Sequence, residues 1–202
     1  EVATPTHVPG TEGALQWAAE VLFEKSSVEE VIRKEEWNLR RRNLSHGEHA
    51  ERVALLLGRA ATMAAPRVRS VSLEGSQLSP AGGAAIGKAL RFNAVLTDLN
   101  LSGNNIGGQT DWINASEVEG ESKEVGAKVL YEGREMVVSK GVNFDELKLV
   151  DAVQTGVLAI AKALEGNGVL KTLILYGNDI CDEGAAAIAE ALRVNGVLTS
   201  FS

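Results

Sequence analysis

Two kinds of apolar spacing alternate along the chain. In LTDLNLSGN, which begins at Leu96, apolar and polar residues alternate as on a strand with one buried face. In GAAAIAEALRVN, Ile188 and Leu192 lie four residues apart, as on one face of a helix. A strand and a helix joined by a short loop cannot bury their apolar faces alone. The pattern therefore predicts strand–helix units that stack on one another.

The units repeat with a fixed period. The series that begins at Leu170 begins again at Leu198, a period of 28 residues. The same frame laid on Val68 ends at Leu96, where a further series follows the order L-x-x-L-x-L-x-x-N-x-I. Residues 156–167 fit the helical half of another unit. Fixed periods of this kind indicate a repeat architecture, here four units, one of them irregular, plus the first strand of a fifth.

Three stretches carry the repeat most fully: VSLEGSQLSPAGGAAIGKALRFNAVL, LNLSGNNIGG and LILYGNDICDEGAAAIAEALRVNGVL. They resemble leucine-rich repeats of the ribonuclease-inhibitor class, and their alanine-rich style is similar to repeats of algal and protist proteins and of nucleotide-binding immune receptors. The resemblance covers residues 68–106 and about 142–202. It implies an α/β fold, a right-handed leucine-rich-repeat solenoid with a parallel concave sheet and convex helices. For function it implies only a protein-binding scaffold, because one fold serves many partners.

A long interruption separates the two halves of the array. From Leu96 to the equivalent position near Val142 is 46 residues, so about 18 extra residues are present. The runs AKVLY and EMVVS flank a Glu-Gly-Arg turn, which predicts a β-hairpin in an insertion at about residues 107–141. The insertion is either a tolerated surface loop or a partner-specific element. In the second case its contact residues are Trp112, Tyr131 and Met136.

Two registers fit the strand after the insertion. Counting back one period from the next unit places Val142 first and Leu147 sixth. The segment FDELKLVD instead offers Phe144, Leu147 and Leu149 with a shorter loop. We favour the second register, because it puts three large apolar residues inside. It also places Lys148 on the exposed side of the sheet.

Before the repeats the periodicity is helical. Residues 14–22 have the spacing of one helix, and Ser27 with Glu30 has the spacing of a capping box that opens a second. Because the end of a solenoid exposes an apolar cross-section, residues 11–67 are predicted to form a helical N-terminal cap. Two prolines in residues 1–10 predict an extended tail.

Composition narrows the class of function. The net charge of -7 argues against nucleic-acid binding, since phosphate contacts require a basic face. The single cysteine, Cys181, excludes internal disulfides and favours a reducing compartment. No apolar run approaches the ~20 residues of a transmembrane segment. We expect an intracellular protein that is cytoplasmic, or organellar (plastid) if a transit peptide preceded Glu1.

Candidate chemistry is sparse. Residues 82–89, GGAAIGKA, almost match a phosphate-binding loop, but Ala89 stands where a magnesium-binding hydroxyl is needed, and later units repeat the pattern as IAKAL and IAEAL. His46, Glu48 and His49 do not have the spacing of a zinc site. We therefore expect no catalytic site, no metal and no cofactor.

The outward positions of the strands form the predicted binding surface, because side chains alternate between the two faces of a sheet. The candidate contact residues on this concave face are Glu74, Asp98, Asn100, Lys148, Ile174 and Tyr176. Asn104 and Asn178 instead fall where a strand turns outward, so we predict that their amides pair with backbone groups. The favoured function is a non-enzymatic protein-binding scaffold. The alternative is a structural or accessory subunit of a larger multiprotein complex, for example an organellar one in an alga.

Overall fold

The computed structural model describes residues 11–25, 27–142 and 145–202. The helices are α1 (Thr11–Phe23), α2 (Val28–Ile32), α3 (Gly47–Ala61), α4 (Pro80–Phe92), α5 (Thr155–Gly166) and α6 (Asp182–Val194), with a 3-10 turn at Ala115–Glu117. The strands are β1 (Glu36–Asn38), β2 (Ser70–Ser72), β3 (Asp98–Asn100), β4 (Ile113–Asn114), β5 (Lys128–Tyr131), β6 (Arg134–Val142), β7 (Glu146–Asp151), β8 (Thr172–Ile174) and β9 (Ser200–Phe201). The predicted tail over residues 1–10 and Phe144 lie outside the described residues. In the described part of the chain, no helix is both long and apolar enough to cross a bilayer.

The predicted parallel sheet is confirmed. Its strands lie in the order β1, β2, β3, β8, β9, and each described neighbour pair is parallel. The inward residues Val71, Leu99 and Leu173 lie side by side in register, so one apolar row runs across the sheet. Helices α3, α4, α5 and α6 pack against one another in that order. Strands and helices share one apolar core, as stacked strand–helix units require.

The prediction of a purely helical segment at residues 11–67 is wrong at β1. This strand pairs with β2, and Trp37 lies beside Val71 as the inward residue. Helix α3 then packs against α4, so residues 36–61 form a further strand–helix unit ahead of Val68. The 28-residue period does not reveal this unit, because Trp37 lies 34 residues before its register partner Val71.

The prediction that residues 156–167 belong to a separate unit is also wrong. Strand β3 pairs directly with β8, and α4 packs directly against α5. Helix α5 is therefore the helix of the second unit, and it comes later in the chain than the period requires. From Leu96 to Leu170 is 74 residues, which is 46 more than the period of 28. The array from Val68 onward consequently contains three units and the first strand of a fourth.

The 46 extra residues between the strand and the helix of the second unit contain a second sheet, which we call the inserted sheet. It is antiparallel, in the order β4, β7, β6, β5, and covers a small apolar core of its own. Strands β5 and β6 pair around the predicted turn, but β7 also belongs to this sheet, so the insertion extends well past residue 141. The prediction that Lys148 lies in the parallel sheet is therefore wrong. Alternating apolar residues in β7 satisfy either sheet equally well, and the alternation alone does not select the partner strand.

Close approach of α5 to α4 requires glycine at two positions. A Cβ added to Gly87 in α4 would lie 2.7 Å from the backbone carbon of Ala159 in α5, and one added to Gly156 would lie 2.7 Å from the Pro80 carbonyl oxygen. These distances are too short for any side chain. The glycines therefore fix how tightly α5 packs on α4 despite the long excursion between them.

Buried asparagines join consecutive units. The side-chain amide of Asn104 donates to the carbonyls of Leu73, in the preceding unit, and Leu101, in its own, at 2.9 and 2.7 Å. Asn178 repeats the arrangement one unit later, with bonds of 2.9 Å to Leu101 and 2.7 Å to Leu175. Both side chains are almost fully buried. Each amide thus supplies donors to carbonyls at the point where the chain leaves the sheet.

A second set of asparagines ends the helices. Asn93, Asn167 and Asn195 follow α4, α5 and α6, and each side-chain oxygen accepts from the amides two and three residues further on. The Asn167 amide also donates to the carbonyls of Leu90 and Asn93 in the preceding unit. Side-chain hydrogen bonds therefore join neighbouring units at both the strand ends and the helix ends, and the Ser76 hydroxyl takes the place of the amide at the Leu39 carbonyl.

We predict that Asn178→Ala lowers the free energy of unfolding by about 1 to 3 kcal/mol, because the Leu175 carbonyl loses the Asn178 amide and the Leu101 carbonyl keeps only the Asn104 amide as a side-chain donor. Urea denaturation followed by circular dichroism measures the change. Asn114→Ala is the matched control, since Asn114 is exposed and its side chain accepts only from Ser116. Equal losses in the two variants would contradict the structural role of Asn178.

Candidate functional site

The open side of the parallel sheet, which we call the strand face, carries the side chains that alternate with the core residues. Register across the strands arranges them in rows. The first row is Glu36, Ser70, Asp98, Thr172 and Ser200, and the second is Asn38, Ser72, Asn100 and Ile174. Rows at a strand spacing of about 4.8 Å form a regular array of contacts for a partner.

Polar residues at one end of the strand face are held by mutual contacts. The Arg40 guanidinium lies 2.6 Å from one oxygen of Glu74, and the Asn100 side-chain amide donates to the other oxygen at 3.2 Å. Asn100 in turn accepts from the backbone amide and hydroxyl of Ser102. Because the ion pair is largely open to solvent, it adds little stability. Its effect is to fix the direction of the Glu74 carboxylate.

The opposite end of the strand face is more apolar. Ile174 is half-buried, and Tyr176 is 76% exposed. The backbone places Tyr176 beside Ser102, since the Gly103 amide donates to the Tyr176 carbonyl at 2.8 Å. A large aromatic side chain exposed to this degree has most of its surface available for contact. Residues of this type dominate the binding energy of many protein interfaces.

The predicted contact residues of the insertion lie in three different environments. Trp112 is 44% exposed, and the Lys148 ammonium lies 5.4 Å from the centre of its ring. Tyr131 is half-buried, and desolvation together with the Glu132 and Glu117 carboxylates raises the pKa of its hydroxyl. Met136 is fully buried in the core of the inserted sheet. Met136 is therefore a packing residue, while Trp112 with Lys148 forms an accessible cation–π pair.

A buried glutamine attaches the inserted sheet to the array. Gln154 is fully buried, and its amide donates to the carbonyls of Gly107 and Asp179 at 3.3 and 3.0 Å. Its side-chain oxygen accepts from the Cys181 amide at 3.0 Å. Gln109 adds a 2.7 Å bond to the Asp179 carboxylate. The root of the insertion is thus bonded to the loop of the following unit.

Gln154 is not predicted from the sequence. It is a polar residue immediately before α5, and Ser79 occupies the equivalent position before α4, where it caps the helix. That correspondence is the one feature of the sequence that points to Gln154.

Asp151 lies at the same root, and its carboxylate is 3.0 Å from the Arg134 guanidinium. Burial raises the pKa of Asp151, and Arg134 opposes that rise. The charged carboxylate is therefore disfavoured in the folded protein, and this cost at neutral pH disappears as the pH falls below the raised pKa.

We predict that Gln154→Ala loosens this root. The Cys181 amide loses its acceptor, so its hydrogen exchange should accelerate, and the free energy of unfolding should fall by about 2 kcal/mol. Hydrogen–deuterium exchange with residue resolution and urea denaturation measure the two effects. Thr155→Ala, at the exposed next residue, is the control. Unchanged Cys181 exchange in Gln154→Ala would contradict the assigned bond.

Other sequence motifs lie in ordinary structural positions. Residues 82–89 are part of α4, so the near match to a phosphate-binding loop is helical. The His49 ring stacks on Trp17 with centroids 4.6 Å apart, and Trp17 also lies beneath the Arg52 guanidinium. Within the ranges that the structure describes, no group of three or more His, Cys, Asp or Glu residues is arranged to hold a metal ion.

Comparison with known proteins supports the repeat. The family model described as Leucine Rich repeat matches residues 92–109 and 166–189, which lie on either side of the inserted sheet. No curated protein matches the chain in sequence. Among solved structures 29 chains match. One of them, Leiomodin-1 Actin-Binding Site 2 (ABS2), is 17% identical with a TM-score of 0.55, over 96% of this chain and 80% of that chain. The chain thus carries leucine-rich repeats, and a leiomodin domain shares its fold.

Proposed function

We propose that this protein is a non-enzymatic binding module that holds a protein partner on the strand face. The observation that carries the proposal is the ordered array itself. In that array a fixed polar cluster around Glu74 and an exposed apolar anchor at Tyr176 lie on one sheet. An interface needs such an anchor surrounded by polar groups with defined directions. Asp98 lies in the first row of the same face and Ile174 in the second.

The leiomodin likeness is consistent with this proposal. That leiomodin domain is named as an actin-binding site, and leucine-rich repeats in general mediate contacts between proteins. At 17% identity the similarity shows a shared fold, and it does not identify the partner of the present chain. Purified actin is nevertheless a defined first probe for a binding assay.

The inserted sheet is proposed to contribute a second contact surface. Trp112 and Lys148 present an aromatic ring and an ammonium group on it. Its root is bonded to the loop of the next unit, so its position relative to the array is fixed. A rigid attachment lowers the entropy that a two-part contact loses on binding.

Photo-cross-linking tests the strand face and identifies the partner in the same experiment. We expect p-benzoylphenylalanine at Tyr176 to form a covalent adduct with a partner protein in cells. The same group at Glu165, exposed on α5, should not form that adduct. Mass spectrometry identifies the adduct. Equal adducts from both positions, or none from Tyr176, would argue against the strand face.

Deletion of residues 108–153 tests the insertion. It restores the 28-residue spacing between Leu96 and Leu170 and retains Gln154, so we expect a folded array. If the inserted sheet contributes contacts, partner capture should fall about 10-fold, a loss of ~1.4 kcal/mol. Quantitative capture of the partner found by cross-linking measures the change. Undiminished capture by a folded deletion variant would assign all binding to the strand face.

The proposed alternative is an accessory subunit of a larger assembly. The exposed apolar side chains away from the strand face, which include Leu55 and Phe92, favour it. Native gel filtration of cell extracts distinguishes the two proposals. A subunit stays in one large complex, while a binding module is also found free.

A further inference from the structure

An apolar groove lies on the helix side of the array. It runs between α1, α3 and α4 and encloses about 840 Å³. Its floor consists of small residues, namely Ala54, Gly58, Ala81, Ala84, Ala85 and Ala89. A Cβ added to Gly58 would have no heavy atom within 4 Å, so the groove is open at its centre. The α3 and α4 residues that line it extend over three helical turns, about 16 Å.

Two large apolar side chains lie at the same groove. Leu55 on α3 is 42% exposed, and Phe92 on α4 is 81% exposed. The patch therefore contains both protruding side chains and a hollow lined with small ones. A surface with both features can pack against another copy of itself. Contiguous exposed apolar patches of this kind mark interaction sites.

The charges along α3 are arranged symmetrically about Leu55. Glu51 lies four residues before Leu55 and Arg59 four residues after it, and all three line the groove. The remaining charged residues of the lining are Glu12 and Lys88, so the patch holds two acidic and two basic groups. Within the described residues, none of these four side chains forms an ion pair.

A two-fold axis at Leu55 would pair the charges on α3 with the opposite charges on α3 of a second copy. A second copy of α3, running antiparallel, places its Arg59 against Glu51 and its Glu51 against Arg59. The two Leu55 side chains then meet at the axis. A parallel arrangement would instead bring like charges together. The four lining charges cancel, and the Arg91 guanidinium over the Phe92 ring adds a single positive charge, which gives only weak attraction to an anionic membrane or to a strongly charged protein.

We infer that two copies of this chain associate through the α3–α4 groove about a two-fold axis at Leu55. The contact lies on the helices, so both strand faces stay open. The dimer therefore presents two copies of the proposed binding surface and gains avidity for a multivalent partner. The dimer contact itself does not rest on the proposed function.

Sedimentation velocity between about 1 and 100 µM, a range suited to a small interface, tests the inference on the full chain. We expect the mass to rise with concentration from 21.4 kDa toward twice that value. Leu55→Asp and Phe92→Asp should each weaken the association at least ~10-fold. Tyr176→Asp, on the strand face, is the matched control and should leave it unchanged. A wild-type chain that stays monomeric, or a folded Leu55→Asp variant that dimerises normally, would overturn the inference.

Charge exchange tests the antiparallel geometry. Glu51→Arg and Arg59→Glu should each weaken the dimer about 3- to 10-fold, and the double variant should restore it. Circular dichroism and thermal unfolding verify that each variant is folded. Failure of the double variant to restore the dimer would overturn the two-fold axis at Leu55. A chain lacking residues 1–10 that dimerises while the full chain does not would assign the groove to those residues instead.

Discussion

The structure depends on backbone carbonyls at the ends of strands and helices that accept hydrogen bonds from side chains of the next unit. Asn104 and Asn178 supply the donors on the strand side, and Asn167 does so at the helix ends. The Asn104 and Asn178 amides bond to their own unit and to the preceding one, and the Asn167 amide bonds to the preceding one, so the strands are held in register and the helices are brought together. The close contacts at Gly87 and Gly156 depend on that spacing. The regular rows of the strand face are a consequence of the same register.

The inserted sheet shows how local such a constraint is. The chain leaves the second unit after Ile106, folds a four-stranded antiparallel sheet with a separate core, and returns at Gln154 to form α5. The array continues across the excursion because the hydrogen bonds that join neighbouring units are made by residues outside the excursion. Gln154 joins the two ends of the excursion to the next unit. The excursion therefore adds a surface without altering the repeat.

The protein has two surfaces with different chemistry. The strand face combines directed polar groups with a single exposed aromatic, which suits a partner of different sequence. The α3–α4 groove is apolar, neutral and symmetric in charge about Leu55, which suits a second copy. Since they lie on opposite sides of the core, use of one does not block the other.

The period of 28 residues and the switch from strand to helix spacing determined the parallel sheet, its helices and most of the strand-face residues, because both patterns follow from which side chains must be buried. Glu74, Asp98, Asn100, Ile174 and Tyr176 are accordingly on the predicted side. Tertiary structure alone decided that β1 belongs to the sheet, that α5 completes the second unit, that Lys148 lies in the inserted sheet, and that Met136 is buried in its core. The alternation of apolar and polar residues predicts which side of a strand is buried, but it does not predict which strand lies next to it. That choice depends on contacts between residues far apart in the chain, such as those of Gln154 with Gly107 and Asp179.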